Sequence, residues 1–288
     1  MPSFSNRKAL RIKISLGKES FSPGVNTVTL EGYRSIVAID KAGGVQMTTL
    51  HARIFGVSQS DMNTATTLQY QPDFQRPNRI EVTAIDGTTE TKVFAGNIIN
   101  AWGDYMEMPD ICLTIMAAGM IETQLKPVPP ISLKGNADTA EVMGLICRAM
   151  GMKFENNGVN TKITDPYLAN TAMEQARELA RSSGCDFYAD DDTIAITPRN
   201  APRFGVFPLI SFQSGLVGYP TFDGVGVMFK TLFNPSIRFG GQVQLQTDVT
   251  RAAGSWIVTS IAHLLESERP GGAWFSTVRA NRSGLAKQ

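Results

Sequence analysis

The sequence is poor in the residues that build redox and metal centres. Its three cysteines, Cys112, Cys147 and Cys185, stand far apart with no C-x-x-C pair, which makes a disulfide framework and a zinc site poor readings. Two histidines, His51 and His263, are present, too few for a histidine-rich metal centre. No metal and no cofactor are expected, and the thiols read as buried and free, in a chain assembled in a reducing cytoplasm. No apolar run approaches the roughly 18 residues of a membrane span. The N-terminal stretch MPSFSNRKALRIKISLG has basic residues but no apolar run after them, so no secretory signal is expected. Charge of one sign is also missing, the net being +1 over 288 residues. That balance argues against a nucleic-acid binder with a basic face and against a protein held on anionic lipid.

What is present is a chain long enough to bury ~75% of its unfolded surface without staples. Two proline-rich joints, LKPVPPIS with Pro127, Pro129 and Pro130, and TPRNAPRFGVFP with Pro198, Pro202 and Pro208, read as stiff extended connectors. They divide the chain into segments of about 1–125, 126–200 and 201–288.

The first segment alternates. Leu10, Ile12, Ile14 and Leu16 fall on one face of a strand, with Arg11, Lys13 and Ser15 on the other. Ile80, Val82 and Ala84 precede an Asp86-Gly87 turn and a second strand through Val93, a hairpin signature. NIINAW and ICLTIMAA add two further strands, and the density of turns suggests a barrel or sandwich. The middle segment changes period. Asp138 with Glu141 has capping-box spacing, Val142, Leu145, Ile146, Ala149 and Met150 form an apolar helix face, and Gly151 fits a left-handed cap. Thr171, Glu174 and Gly184 repeat the scheme for a second helix. Hairpins are expected around Asn157-Gly158 and Asp190–Asp192. The third segment returns to strands, broken at Asn234-Pro235, Gly240-Gly241 and Pro270-Gly271-Gly272. The expected class is thus α+β, with an α+β module inserted between β-rich segments and an unpatterned tail, RANRSGLAKQ.

One cluster looks catalytic. His263, Glu266, Ser267 and Glu268 lie within six positions. On a strand, however, His263 shares its face with Ile261 and Leu265, while Glu266 and Glu268 point the other way. Ser267 shares the histidine's face but lies about 13 Å along it, out of reach of a base. The better reading is a packed strand histidine. Asp190–Asp192 lacks the register and distal glutamate of a calcium loop and reads as a solvated turn. Gly224 and Gly226 have no third glycine and no following helix, so a dinucleotide fingerprint fails. Trp102, Trp256 and Trp274 sit in strand patterns and read as core or interface anchors. No catalytic, cofactor or metal residue is assigned.

Order along the chain carries more than any one motif. Gly215-Leu216-Val217-Gly218-Tyr219-Pro220, then Leu232-Phe233-Asn234-Pro235, Ile237, Gly240-Gly241, the histidine of AHLLES and the strand Trp274-Phe275-Ser276-Thr277 resemble the C-terminal part of the baseplate hub proteins of contractile-tailed phages. GGVQMTTLHARIFGVSQSDMNTAT and VFAGNIINAW with PDICLTIMAAG resemble their first tube-like domain, and the middle module resembles their α+β insert. The resemblance implies two tube-type antiparallel β-barrels, at 1–125 and 201–288, with the module at 126–200 between them. It also implies a non-enzymatic virion protein of the tail baseplate. Three chains would form a ring joining a hexameric tail tube to a trimeric spike, with a lumen that passes DNA without binding it. Tube, spike and other baseplate components such as wedge or sheath initiator would be its partners. A tail-associated peptidoglycan hydrolase using His263, or a cell-wall-binding module at 131–197, are the alternatives.

Overall fold

The structure is a computed structural model, and it describes residues 8–42, 47–66, 77–106, 108–125, 127–190, 192–224 and 226–282. The first part of the chain gives β1 (Lys8–Ser15), β2 (Thr27–Glu31), β3 (Ser35–Ala42), β4 (Thr49–Phe55), a short α1 (Gln59–Ala65), β5 (Arg79–Asp86), β6 (Thr89–Asp104) and β7 (Cys112–Ala118). The expected alternation holds in β1, where Leu10, Ile12 and Ile14 are buried and Lys13 is exposed. Asp86 and Gly87 turn β5 into β6, with Gly87 at φ +63°. VFAG and NIINAW belong to a single strand, β6, and not to two. Its first half pairs with β5 and its second half with β7, so the strand passes from one sheet neighbour to the next without a break.

The middle part gives α2 (Ile121–Leu125), β8 (Ile131–Ser132), β9 (Asn136–Asp138), α3 (Thr139–Met150), β10 (Lys153–Asn156), β11 (Lys162–Thr164), β12 (Tyr167–Leu168), α4 (Ala172–Ser183), β13 (Cys185–Asp190) and β14 (Thr193–Pro198). Both long helices begin and end on the expected residues. The Asp138 carboxylate accepts from Ala140 and Glu141 N–H groups, Thr171 and Glu174 form a reciprocal capping box, and Gly151 and Gly184 adopt left-handed caps. The buried face of α3 differs from the one expected. Val142, Met143, Ile146, Cys147 and Met150 are buried, while Leu145 is 45% exposed. Two stripes of similar apolar content compete on this helix, and the one turned to α4 and the module sheet is buried. The hairpin expected at Asn157-Gly158 does not form. β10 instead pairs in parallel with β14 and β11 pairs with β9, whereas the β13–β14 hairpin is present.

The last part gives β15 (Leu209–Ile210), a 3-10 turn at Phe212–Ser214, β16 (Leu216–Phe222), β17 (Val227–Leu232), β18 (Gln242–Leu245), β19 (Gly254–Ser267) and β20 (Trp274–Asn281). The strand expected over Trp274–Ala280 forms, and Asn281, expected in the unpatterned tail, extends it and pairs with β19. Residues 283–288 lie outside the described set.

The two β-rich parts share one largely antiparallel sheet. Among the described residues it has 13 strands, in the order β16-β17-β20-β19-β3-β4-β7-β6-β5-β1-β2, with β15 and β18 joined at β19. Among those residues its ladders do not close into a barrel. β19 is the seam. Its first turnings pair with β18, Gly254 to Ile257, and its later ones with β3, Ser260 to Ser267, along the same edge. A register shift between Val258 and Ser260 marks the change. The extra residue reverses which parity is buried. Trp256 and Val258 are buried before it, and Ile261, His263, Leu265 and Ser267 after it. Three hydrophobic clusters result. One lies on the first β half and takes in Phe233, Leu265 and Trp274 from the last. A second lies on the last β half, and a third within the module.

Candidate functional site

The cluster around His263 comes apart in three dimensions. Ser267 donates to the carbonyl of Tyr33, and Glu266 holds Arg269 and the Ala273 N–H. Glu268 lies past the end of β19 at φ +51°. His263 instead faces Ser276 across the β19–β20 ladder, Nδ1 to Oγ 2.8 Å. This serine–histidine contact escaped the linear reading because its partners are 13 positions apart and joined only by strand register. The pair is not equipped for catalysis. Both side chains are buried, and the Phe233 ring packs edge-on to the imidazole at 5.3 Å. Burial, followed by the charge of Lys41, pushes the imidazole down to about 3, against an opposing pull from Asp190. So weak a base does not deprotonate a hydroxyl near neutral pH.

The other singled-out residues also have structural employment. Asp190 is half-buried rather than a freely solvated turn residue. It receives Lys41 and Arg203, while Asp192 pairs with Lys153, and Asp191 lies outside the described residues. Gly226 sits in the β16–β17 turn, where a Cβ would meet the Ala280 carbonyl oxygen. Trp256 donates to the Ala252 carbonyl from within the last cluster, and Trp274 packs on Phe233 in the first. Cys112 and Cys147 are buried free thiols and Cys185 is half-buried; burial pushes Cys147 up to about 12.

The surface feature that stands out is an uncharged ridge. From Phe204 to Phe222 the chain has no Asp, Glu, Lys, Arg or His. Phe204, Val206, Phe207, Leu209, Phe212, Tyr219 and Phe222 are all exposed, Val206 to 79%. Phe212 and Tyr219 stack edge-on at 5.5 Å. Apolar side chains scattered singly over a surface are ordinary, whereas exposed apolar stretches poor in charge are frequent at protein and ligand contact surfaces. β16, in this run, ends the strand order of the sheet. Gly218 at φ +69°, a register shift, and Pro220 without an N–H break its edge. These features oppose addition of another strand. The eight strands from β6 to β16 also present a continuous face away from the cores. One row across it reads Asn100, Met116, His51, Ala38, Leu264 and Phe275.

An exposed uncharged stretch, a sheet spanning both β halves and a buried serine–histidine pair are the leading features of this β-rich chain. Comparison with known proteins gives the class. The structure is similar to the 43 kDa tail protein of prophage MuSo2 from Shewanella oneidensis, with TM-score 0.59, 12% identity and 97% of each chain covered. It is also similar to a tail protein from Neisseria meningitidis MC58, with TM-score 0.62, 10% identity, and 96% and 97% of the two chains covered. At these identities the likeness shows a shared fold. The sequence itself matches the Baseplate hub gp41 family over residues 58–271. The chain belongs to that family of phage baseplate hub proteins. A comparison with curated proteins finds no match. Family membership places the protein among the structural components of the virion tail, in association with other baseplate and tail proteins. Among the described residues no helix is long and apolar enough to cross a membrane.

Proposed function

We propose that three copies of the chain form a closed ring that adapts a hexameric tail tube to a trimeric spike and leaves a channel for DNA. The two β halves act as two tube-like domains of 1–125 and 201–288, with the 126–200 module outside the sheet they share. The observation that carries this reading is the β19–β3 ladder. It sets two β units, each with a core cluster of its own, side by side in one sheet. Three such chains would give six units around an axis, matching a sixfold tube above and a threefold spike below. A ring closed by one repeated head-to-tail contact is among the few arrangements that avoid open polymerisation.

The ridge around Phe212 and Tyr219 packs against the next copy. Its counterpart is the turn between β6 and β7, at the far end of the eight-strand face, where Tyr105, Met106 and Met108 are exposed. Asp104 and Asp110 flank that turn, and Arg238 lies beside the ridge at Gly205, so apolar centres meet inside opposite charges. The face away from the cores lines the channel. It carries Asp40 and Glu266 against Arg53, Lys230 and Arg279, a balance that suits passage of DNA without retention. The partners on this reading are the tube protein, the spike and neighbouring components such as wedge or sheath initiator, after assembly in the host cytoplasm. No structural observation favours the peptidoglycan-hydrolase or wall-binding alternatives. Negative-stain images of the purified chain test the reading: threefold particles with a central hole support it, and compact particles without one at all concentrations oppose it.

A further inference from the structure

The α+β module is joined to the sheet in an unusual way. Its core cluster contains no buried residue of either β half, and neither of their clusters contains one of its own. Two clefts separate it from the sheet. One, of about 340 Å³, lies between Lys13 and Arg79 of the first half and Met152 and Asp192 of the module. The other, of about 450 Å³, lies between Asp186 of the module and Ile257 and Asn281 of the last half. Arg203, on the connector, has its side chain 1% exposed.

Arg203 ties the module to the last half, and its partner Asp190 links on to the first. Nη2 and Nε donate to the two carboxylate oxygens of Glu155 at 2.8 and 3.3 Å, and Nη1 donates to the Phe239 carbonyl at 3.0 Å and to Asp190 at 3.4 Å. Arg238 of the last half reaches Glu155 at 3.1 Å, and Lys41 of the first half reaches Asp190 at 3.3 Å. Tyr188, Asp186 and His263 are the other titratable groups facing the cluster from β13 and β19. Burial alone would raise the Glu155 carboxyl, but its hydrogen bonds and charge contacts with Arg203, and then Arg238, hold it below the usual carboxylate range. The backbone joins in, Arg203 N–H to Gly240 carbonyl and Phe204 N–H to the Asn157 side chain.

We propose that the Arg203 cluster is a charge-operated hinge pin, locking the module on the sheet while Glu155 and Asp190 are paired with Arg203, and letting the module turn as a rigid unit into the flanking clefts when that pairing is lost. Separate cores allow such movement without unfolding, and clefts on both sides leave room for it. The proline-rich connectors supply the two attachment points. The inference does not depend on ring formation.

Arg203→Met is the direct test, because it removes the bonds of the connector to Glu155, Asp190 and the Phe239 carbonyl without stranding a charge, Glu155 keeping Arg238 and Asp190 keeping Lys41. Hydrogen exchange of the full chain near neutral pH is the readout. The amides of residue 203 and Phe204 are expected to exchange at least about tenfold faster, with α3, α4 and β3 to β7 unchanged. Small-angle scattering should show an increased radius of gyration. Unchanged exchange at the junction would overturn the proposal, and so would an equal rise through the module and the sheet, which marks a general stability element. If Arg203→Met fails to fold, Glu155→Gln serves with the same readout, since it leaves Arg203 with Asp190 and the Phe239 carbonyl.

Discussion

His263 and Ser276 face each other across the β19–β20 ladder and share a 2.8 Å hydrogen bond in a buried position. Its consequence is thermodynamic. The folded chain holds the imidazole neutral down to about 3, whereas the unfolded chain protonates it near the ordinary 6.5. Between those values the unfolded state binds the extra proton, so this contribution is complete above the unfolded value and declines as pH falls. At pH 5 the loss should be about 2 kcal/mol. His263→Gln removes it, and urea unfolding near pH 7 and near pH 5 should show a shallower pH dependence in the variant. Identical pH dependence in both proteins would contradict a buried neutral imidazole.

Gly240 explains why a Gly-Gly pair stands in this part of the chain. It has φ +74°, and a Cβ on it would meet the Tyr188 ring at 2.8 Å. Tyr188 is held in turn by Phe239, edge-on at 5.1 Å, so the ring has little freedom to give way. Gly240→Ala should therefore destabilise the junction by about 2–4 kcal/mol, from overpacking and left-handed strain together. Gly241→Ala is a useful comparison, since its nearest contact is 3.0 Å and its φ is not left-handed. A thermal midpoint unchanged in Gly240→Ala would show that the module is not seated against this glycine.

The ridge predicts a dissociation phenotype without an unfolding one. Phe212 and Tyr219 are exposed, so Phe212→Glu and Tyr219→Glu should leave thermal stability within about 0.5 kcal/mol. A carboxylate placed in an apolar contact is costly, and self-association should weaken by at least about tenfold. Met106→Glu, in the proposed counterpart, should have the same effect. Retained self-association in all three variants would place the contact elsewhere.

The helix caps supply a quieter test of the module. Thr171→Ala removes the hydroxyl that accepts from the Glu174 N–H at the start of α4, leaving the Glu174 carboxylate on the residue-171 N–H, and should cost about 1 kcal/mol. Faster exchange should appear in α4 first, and not in the sheet, if the module folds on its own core.

Much of this architecture is legible in the sequence where the signal is local. Caps such as Asp138, Thr171 and Gly184 fix helix ends within a few residues, and Asp86-Gly87 fixes a hairpin, because each satisfies its own neighbours. What escapes the linear reading is long-range register. The Ser276 partner of His263, the joining of the β halves through β19 and β3, and the parallel seat of β10 on β14 depend on which strands meet. The buried face of α3 is hidden from the sequence for a related reason, since Leu145 and Met143 are equally apolar and only packing selects between them. Helix α1 carried a readable signal, with Ser58 capping on the Asp61 N–H, but it is too short to show a period. Asp190 looked like a turn residue and proved to be a partner of buried Arg203, which no spacing rule announces. The uncharged stretch from Phe204 to Phe222 was open to view, yet its meaning as a surface depends on exposure, which only the fold supplies.

The most direct test of the central claim is the mass of the purified chain in solution, measured by light scattering across a concentration series. The account predicts a trimer at the higher concentrations, lost in Phe212→Glu. A monomer throughout the series would contradict a self-sufficient ring and leave assembly dependent on a partner.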